Sequence, residues 1–180
     1  MMGLVVIPYI QQNGAWTLSD DTMVDLWRRM VDQKTAKKVF YEGIVQNEQQ
    51  WLAYVKAAPQ RFVTVTYDDE ASDMAMVAWM TDIDPPKAIT HFNVFKPFWG
   101  KKAKEVTANQ VEYWFGLTGP DGQPLFDLLI GVTPENNPLA VRMAKSNGYR
   151  AIGTIPMFLN DYYRNARVGG VVSYRTREAA

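Results

Sequence analysis

Four lysines, Lys96, Lys101, Lys102 and Lys104, crowd around Gly100 in a chain whose formal charge is zero. The segment they occupy, from Val94 and Phe95 through Gly100 to Ala103, falls where a strand pattern gives way to a helix pattern. A helix N-terminus offers unpaired N–H groups and a partial positive charge, and a glycine lets an anion approach that backbone closely. The chemistry expected there is binding of a phosphate-bearing ligand; in most proteins such a cluster is only a solvated helix face. The single histidine, His91, lies on the strand that leads into this segment. An imidazole with a pKa of about 6.5 suits proton removal at neutral pH, and a structural histidine is the plainer alternative. Tyr162 and Tyr163 form a second group able to give a proton or pack a substrate, with Arg164 and Arg167 beside them to attract an acidic acceptor. Surface aromatics anchoring a long connection are the plainer reading of the two tyrosines.

Much other chemistry is excluded. The chain has no cysteine, so thiolate nucleophiles, redox pairs and thiolate zinc sites are absent, and one histidine cannot build a multi-histidine metal site. No metal is expected. Neither GxGxxG nor GxxxxGK[ST] occurs, which sets aside the common dinucleotide and P-loop sites. Balanced charge argues against nucleic acid and anionic membrane as partners. No apolar run approaches the roughly 20 residues of a membrane span. Leu4-Val5-Val6-Ile7 is too short for a signal peptide's apolar core and lacks a basic flank, so a cytoplasmic protein is expected.

The elements that must position these residues follow from periodicity. The 180 residues, 47% of them apolar and 13% aromatic, suit one domain spanning 1–180 with a well-filled core. Residues 4–10 read as a strand ended by Asn13-Gly14, and Ser19 as the N-cap of a helix carrying Met23, Leu26, Trp27, Met30 and Val31 on one face. A second helix is expected from Asn47, with Gln50 as its capping-box partner, closing before Pro59. Strands follow at 61–67, 74–80 and 87–95, then a helix at 101–115 stopped by Gly116. A buried strand at 126–132, a helix at 137–147 ended by Gly148, and strands at 149–156 and 170–176 complete the chain. Trp27, Trp51 and Trp114 fall on helical stripes and are expected in the core. The order β-α-α-β-β-β-α-β-α-β-β is mixed α/β, with a parallel step across the helix at 101–115.

That order resembles the GNAT N-acyltransferases, and two local motifs fit it. Asn137-Pro138-Leu139-Ala140 followed by Gly148-Tyr149 looks like the family's signature of Asn, Ala three later, Gly eleven later and an aromatic twelve later. The segment from Val94 to Ala103 resembles the family's acyl-CoA pyrophosphate loop. The resemblance implies a mixed, mostly antiparallel sheet with flanking helices, and acetyl-CoA as acyl donor to a small-molecule or peptide amine. It implies that Gly100, Lys101, Lys102 and Ala103, with Lys96, hold the pyrophosphate. Val94 and Phe95 backbone groups would meet the pantetheine, with Asn137 nearby. It makes His91, Tyr162 and Tyr163 the candidates for catalysis, and it leaves a homodimer open. The family's loop usually carries Gln or Arg where Pro97 stands and a second small residue where Lys102 stands, and its proton-donating tyrosine falls at Ala144. A non-catalytic CoA-binding or structural module on the same scaffold is therefore the alternative.

Overall fold

Residues 3–177 are described by the computed structural model. The chain begins with β1 (Leu4–Tyr9), a small hairpin of β2 (Gln11–Gln12) and β3 (Ala15–Trp16), then α1 (Asp20–Asp32), α2 (Ala36–Val39) and α3 (Glu48–Val55). The meander β4 (Phe62–Asp68), β5 (Asp73–Asp84) and β6 (Lys87–Val94) leads through a 3-10 turn, Lys96–Phe98, into α4 (Lys101–Phe115). After it come β7 (Leu128–Pro134), α5 (Pro138–Ser146), β8 (Arg150–Asp161), a second 3-10 turn at Tyr162–Arg164 and β9 (Ala166–Thr176). Seven strands form one sheet in the order β1-β4-β5-β6-β7-β9-β8. Every neighbouring pair is antiparallel except β6 and β7, which run parallel across the α4 crossover.

The helices start where side chains can cap them. Thr22 N–H donates to Ser19 Oγ at 3.1 Å ahead of α1, and Gln50 N–H donates to Asn47 Oδ1 at 2.9 Å ahead of α3. Gln50 reaches back to accept the N–H of Gln46, one residue outside the expected capping-box partner. Met23, Leu26, Trp27 and Met30 of α1 are buried, while Val31 on the same stripe is exposed. Trp27, Phe40, Trp51 and Trp79 make one aromatic cluster, in which Phe40 stacks on Trp79 at 5.3 Å and 6°. The Trp51 indole N–H donates to Met23 O at 2.7 Å, so its polar atom is satisfied inside that cluster. This cluster fixes α1, α2 and α3 to the face of β5 that carries Trp79. The other face is covered by α4, where Trp114 meets Phe92 at 5.2 Å and Gln110 accepts from the Thr66 hydroxyl.

Four expectations need correction. The four-residue α2 was not anticipated, since a single turn is too short to show a periodic stripe. Asn13 and Gly14, both at positive φ, turn a hairpin between β2 and β3 rather than only ending β1. β7 begins two residues late, because the N–H groups of Asp127 and Leu128 are first used on Pro86 O. β8 and β9 extend well beyond 149–156 and 170–176, with a register break between Ile155 and Leu159 where Met157 takes a φ of 53°. The bulged edge strand β8 leaves Ile152, Ile155, Met157 and Phe158 exposed.

Phe40 follows directly on α2 and is 2% exposed, so it holds that turn onto the sheet. Phe40→Ala should cost about 3–5 kcal/mol of stability, read as a fall in Tm of roughly 10 °C in a thermal unfolding scan.

Candidate functional site

The parallel ladder is short. Lys87, Ala88 and Ile89 pair with Leu128, Leu129 and Ile130, and there the two strands part. β6 continues along β5 as far as Val94, and β7 continues along β9 as far as Pro134. At the base of the gap the Thr90 hydroxyl lies 3.1 Å from Ile130 O and 2.8 Å from the hydroxyl of Tyr149. Beyond it opens a cavity of about 400 Å³ between β6, the start of α4 and α5. Asn93, Val94, Gly100, Ala103 and Asn137 line it, together with the cations Lys38, Lys104 and Arg142. A smaller space of about 90 Å³ continues from it toward Thr90, Tyr149, Tyr41 and Ala144.

The start of α4 differs from the starts of the other long helices. Ser19, Asn47 and Asn137 cap α1, α3 and α5 through their side chains, but Gly100 has none to offer. The first N–H groups of a fifteen-residue helix are thus left for something other than a capping side chain. Gly100 sits at φ +86°, where other residues are strained, and a Cβ placed on it would meet nothing within 4 Å. The open volume beside that backbone, the partial positive charge of the helix end and the nearby cations favour an anion there. Among the described residues Lys38, Lys104 and Arg142 make no ion pair.

No protein-family model matches the sequence, and no curated protein matches it. Solved structures do match the fold. One is a ribosomal L7/L12 alpha-N-protein acetyltransferase in complex with coenzyme A, at TM-score 0.75 and 10% identity, covering 100% of this chain and 97% of that one. Another is a spermidine N-acetyltransferase from Vibrio cholerae in complex with CoA and spermine, at TM-score 0.70 and 10% identity, covering 97% and 95%. A third is a microcin C7 self immunity acetyltransferase in complex with acetyl-CoA and AMP, at TM-score 0.70 and 10% identity, covering 97% and 93%. The chain has the GNAT fold.

Within that GNAT fold the expected cofactor residues divide. Val94, Gly100, Ala103 and Asn137 come together around the large cavity. Lys101 is exposed but does not line it, and Lys96 lies with its ammonium 5.9 Å from the Trp99 ring. Lys102 is turned the other way, 3.0 Å from the buried carboxylate of Asp68. Burial alone would raise the Asp68 pKa, but the Lys102 contact and the N–H groups of Ala71 and Glu70 hold it below its usual value. Lys102 is therefore bound to a protein carboxylate. Phe95 is fully buried under the Arg29 guanidinium and, unlike Val94, does not line the cavity; its N–H donates to Ala75 O and its carbonyl accepts from Phe98 N–H. The Val94 carbonyl accepts from the Trp99 indole at 2.8 Å, leaving one lone pair for a ligand. Lys38, Arg142, Asn93 and Tyr41 were not anticipated. Only Asn93, an amide between Phe92 and Val94, left a trace in the sequence; it is 4% exposed and its Nδ2 has no partner.

The expected catalytic residues divide too. His91 stacks on Trp79 at 5.4 Å and 14°, and its Nε2 lies 3.0 Å from Thr81 Oγ1. Burial, aided by the charge of Arg61, pushes its pKa down to about 4. It borders the smaller space as a neutral and weak base, not as one poised for neutral pH. Tyr162 lies over Gly43, with its N–H on Tyr41 O, and is exposed. Tyr163 lines a third cavity of about 300 Å³, between α2, the start of α5 and the turn after β8. Tyr41 lines both that cavity and the smaller space, and its hydroxyl has no hydrogen-bond partner among the described residues. Burial, with the neighbouring Glu42 charge, raises its pKa, so it stays protonated.

His91 gives a pH test. Between about pH 4 and 6.5 the unfolded chain holds a proton on this imidazole that the native protein does not, so stability rises with pH across that window and is lost on acidification. In urea unfolding, His91→Phe should flatten this slope relative to the parent by up to about 3 kcal/mol between the two ends. Equal slopes would place the native pKa near its ordinary value.

Proposed function

We propose that the protein is an acetyl-CoA-dependent N-acetyltransferase acting on an amine. The observation that carries this reading is the parted β6 and β7 opening on the uncapped, glycine-started α4. The cavity of about 400 Å³ beside the parted strands suits a pantetheine arm, and Gly100 and Ala103 at the helix start suit a pyrophosphate, with Lys104 and Arg142 as its counter-charges. The solved neighbours bound to CoA or acetyl-CoA support the same reading. A cytoplasmic location belongs to it, as the compartment of the acyl donor. Homodimer formation is consistent with the apolar residues left exposed on β8.

In the reaction a neutral amine nitrogen attacks the thioester carbonyl carbon. A C–N bond forms, the C–S bond breaks, the nitrogen loses one proton and the departing sulfur takes one. Holding the two reactants together supplies much of the rate. Tyr41 is the group we assign to protonating the sulfur, because it stays protonated and lines the small space where Ala144 leaves the family's usual tyrosine missing. The alternative reading, a module that binds CoA without transfer, is favoured by one observation: Ala144 offers no proton donor.

Calorimetric titration with acetyl-CoA is the primary test. The parent should bind, and Gly100→Val should lose binding while its fold is retained, with a stability cost of about 1–3 kcal/mol from the strained φ. Unchanged binding in that variant would put the cofactor elsewhere. Tyr41→Phe should lower kcat by roughly 10²-fold or more with acetyl-CoA affinity unaltered, and adding Ala144→Tyr should restore part of it. A parent that binds acetyl-CoA but acetylates no amine would favour the non-catalytic module.

A further inference from the structure

The third cavity has a chemistry of its own. It adjoins the spaces beside the parted β6 and β7, since Lys38 and Asn137 line it as well as both of them. Its walls come from three separate parts of the fold: α2, the start of α5, and the turn between β8 and β9. The Tyr162 N–H on Tyr41 O, at 2.8 Å, ties the first and last of these together, so the opening has fixed sides.

Its charged groups are Lys37, Lys38, Arg164 and the single carboxylate Asp161. Asp161 is largely committed: one oxygen accepts the Arg164 N–H at 3.2 Å, and the other lies 3.7 Å from the Arg164 guanidinium. Lys37 is held with its ammonium 5.0 Å from the Tyr163 ring, and neither Lys37 nor Lys38 has a carboxylate partner among the described residues. Three cations against one engaged carboxylate is a local excess in a protein whose net charge is zero. A polyamine entering here would meet like charge at each step; an anion would meet unpaired cations beside two phenols.

We propose that this cavity is the acceptor subsite, and that the acceptor is a primary amine whose molecule also carries an anionic group, held by Lys37, Lys38 and Arg164. The inference rests on the acetyltransferase reading above. The same positive surroundings disfavour the ammonium form of the acceptor and favour the neutral amine that attacks. That matters in a site where His91 is a weak base.

The test compares three acceptors on the intact protein with saturating acetyl-CoA: an acidic tetrapeptide with a free α-amine, phosphoethanolamine, and spermidine. Their relative kcat/KM separates a carboxylate acceptor from a phosphate one, and both from a polycation. At least one anionic amine should be acetylated at least tenfold better than spermidine, with a preference that shrinks as salt is raised. The double variant Lys37→Glu/Arg164→Glu should raise KM for the anionic acceptor by about tenfold or more, with acetyl-CoA affinity unchanged by calorimetry. The charge-preserving pair Lys37→Arg/Arg164→Lys should keep most of the parent's preference. A faster rate with spermidine overturns the proposal, as does transfer to no anionic amine by a protein that binds acetyl-CoA. Absence of acetyl-CoA binding instead overturns the cofactor reading beneath it.

Discussion

β6 and β7 run side by side only where Lys87–Ile89 face Leu128–Ile130; past that point each follows its other neighbour in the sheet. Strand edges that separate leave backbone groups that must find partners. The structure answers on both sides of the gap: Thr90 reaches Ile130 O, and the Trp99 indole reaches Val94 O. The sheet is thus held open by side chains rather than left frayed. The cavities are arranged around this opening: α4 begins at its mouth, α5 forms one wall, and α2 lies between it and the third cavity.

The helices divide into two groups for a physical reason. On one face of the sheet, α1, α2 and α3 are fixed by large aromatic contacts, Phe40 on Trp79 and Trp51 beneath them, that bury much apolar area in few residues. On the other face α4 is fixed by Trp114, Val106 and Val111, which leaves its first turn free to meet a ligand. A helix anchored near its C-terminal half can present its N-terminus without stability depending on a cap. This is the reverse of α1 and α3, whose starts are closed by Ser19 and Asn47.

Local signals were the ones legible in the sequence. Gly100 before a helical stripe, and Asn137 and Gly148 at the two ends of the next one, each act within a few residues, and α4 and α5 begin and end where these residues set them. Long-range choices were not legible. Lys102 reads as a phosphate ligand by position, yet Asp68, far back in the chain, takes it. His91 reads as a base by its ordinary pKa, yet Trp79 and Thr81 across the β5–β6 pairing cover it. Of the cations that do line the cavity, Lys104 stood beside Gly100 in the sequence, but Lys38 and Arg142 arrive on α2 and α5, and nothing near them in sequence marks them as partners of Gly100.

The Trp99–Val94 contact has an optical consequence. Of the six tryptophans, Trp27, Trp51, Trp79 and Trp114 are buried and Trp16 is half-buried, whereas Trp99 is 45% exposed at the rim of the large cavity. Its indole is the one of the six whose solvent contact a molecule filling that cavity must alter. The protein thus carries an intrinsic fluorophore at the mouth of its own site, set against a background of five chromophores that occupancy does not reach.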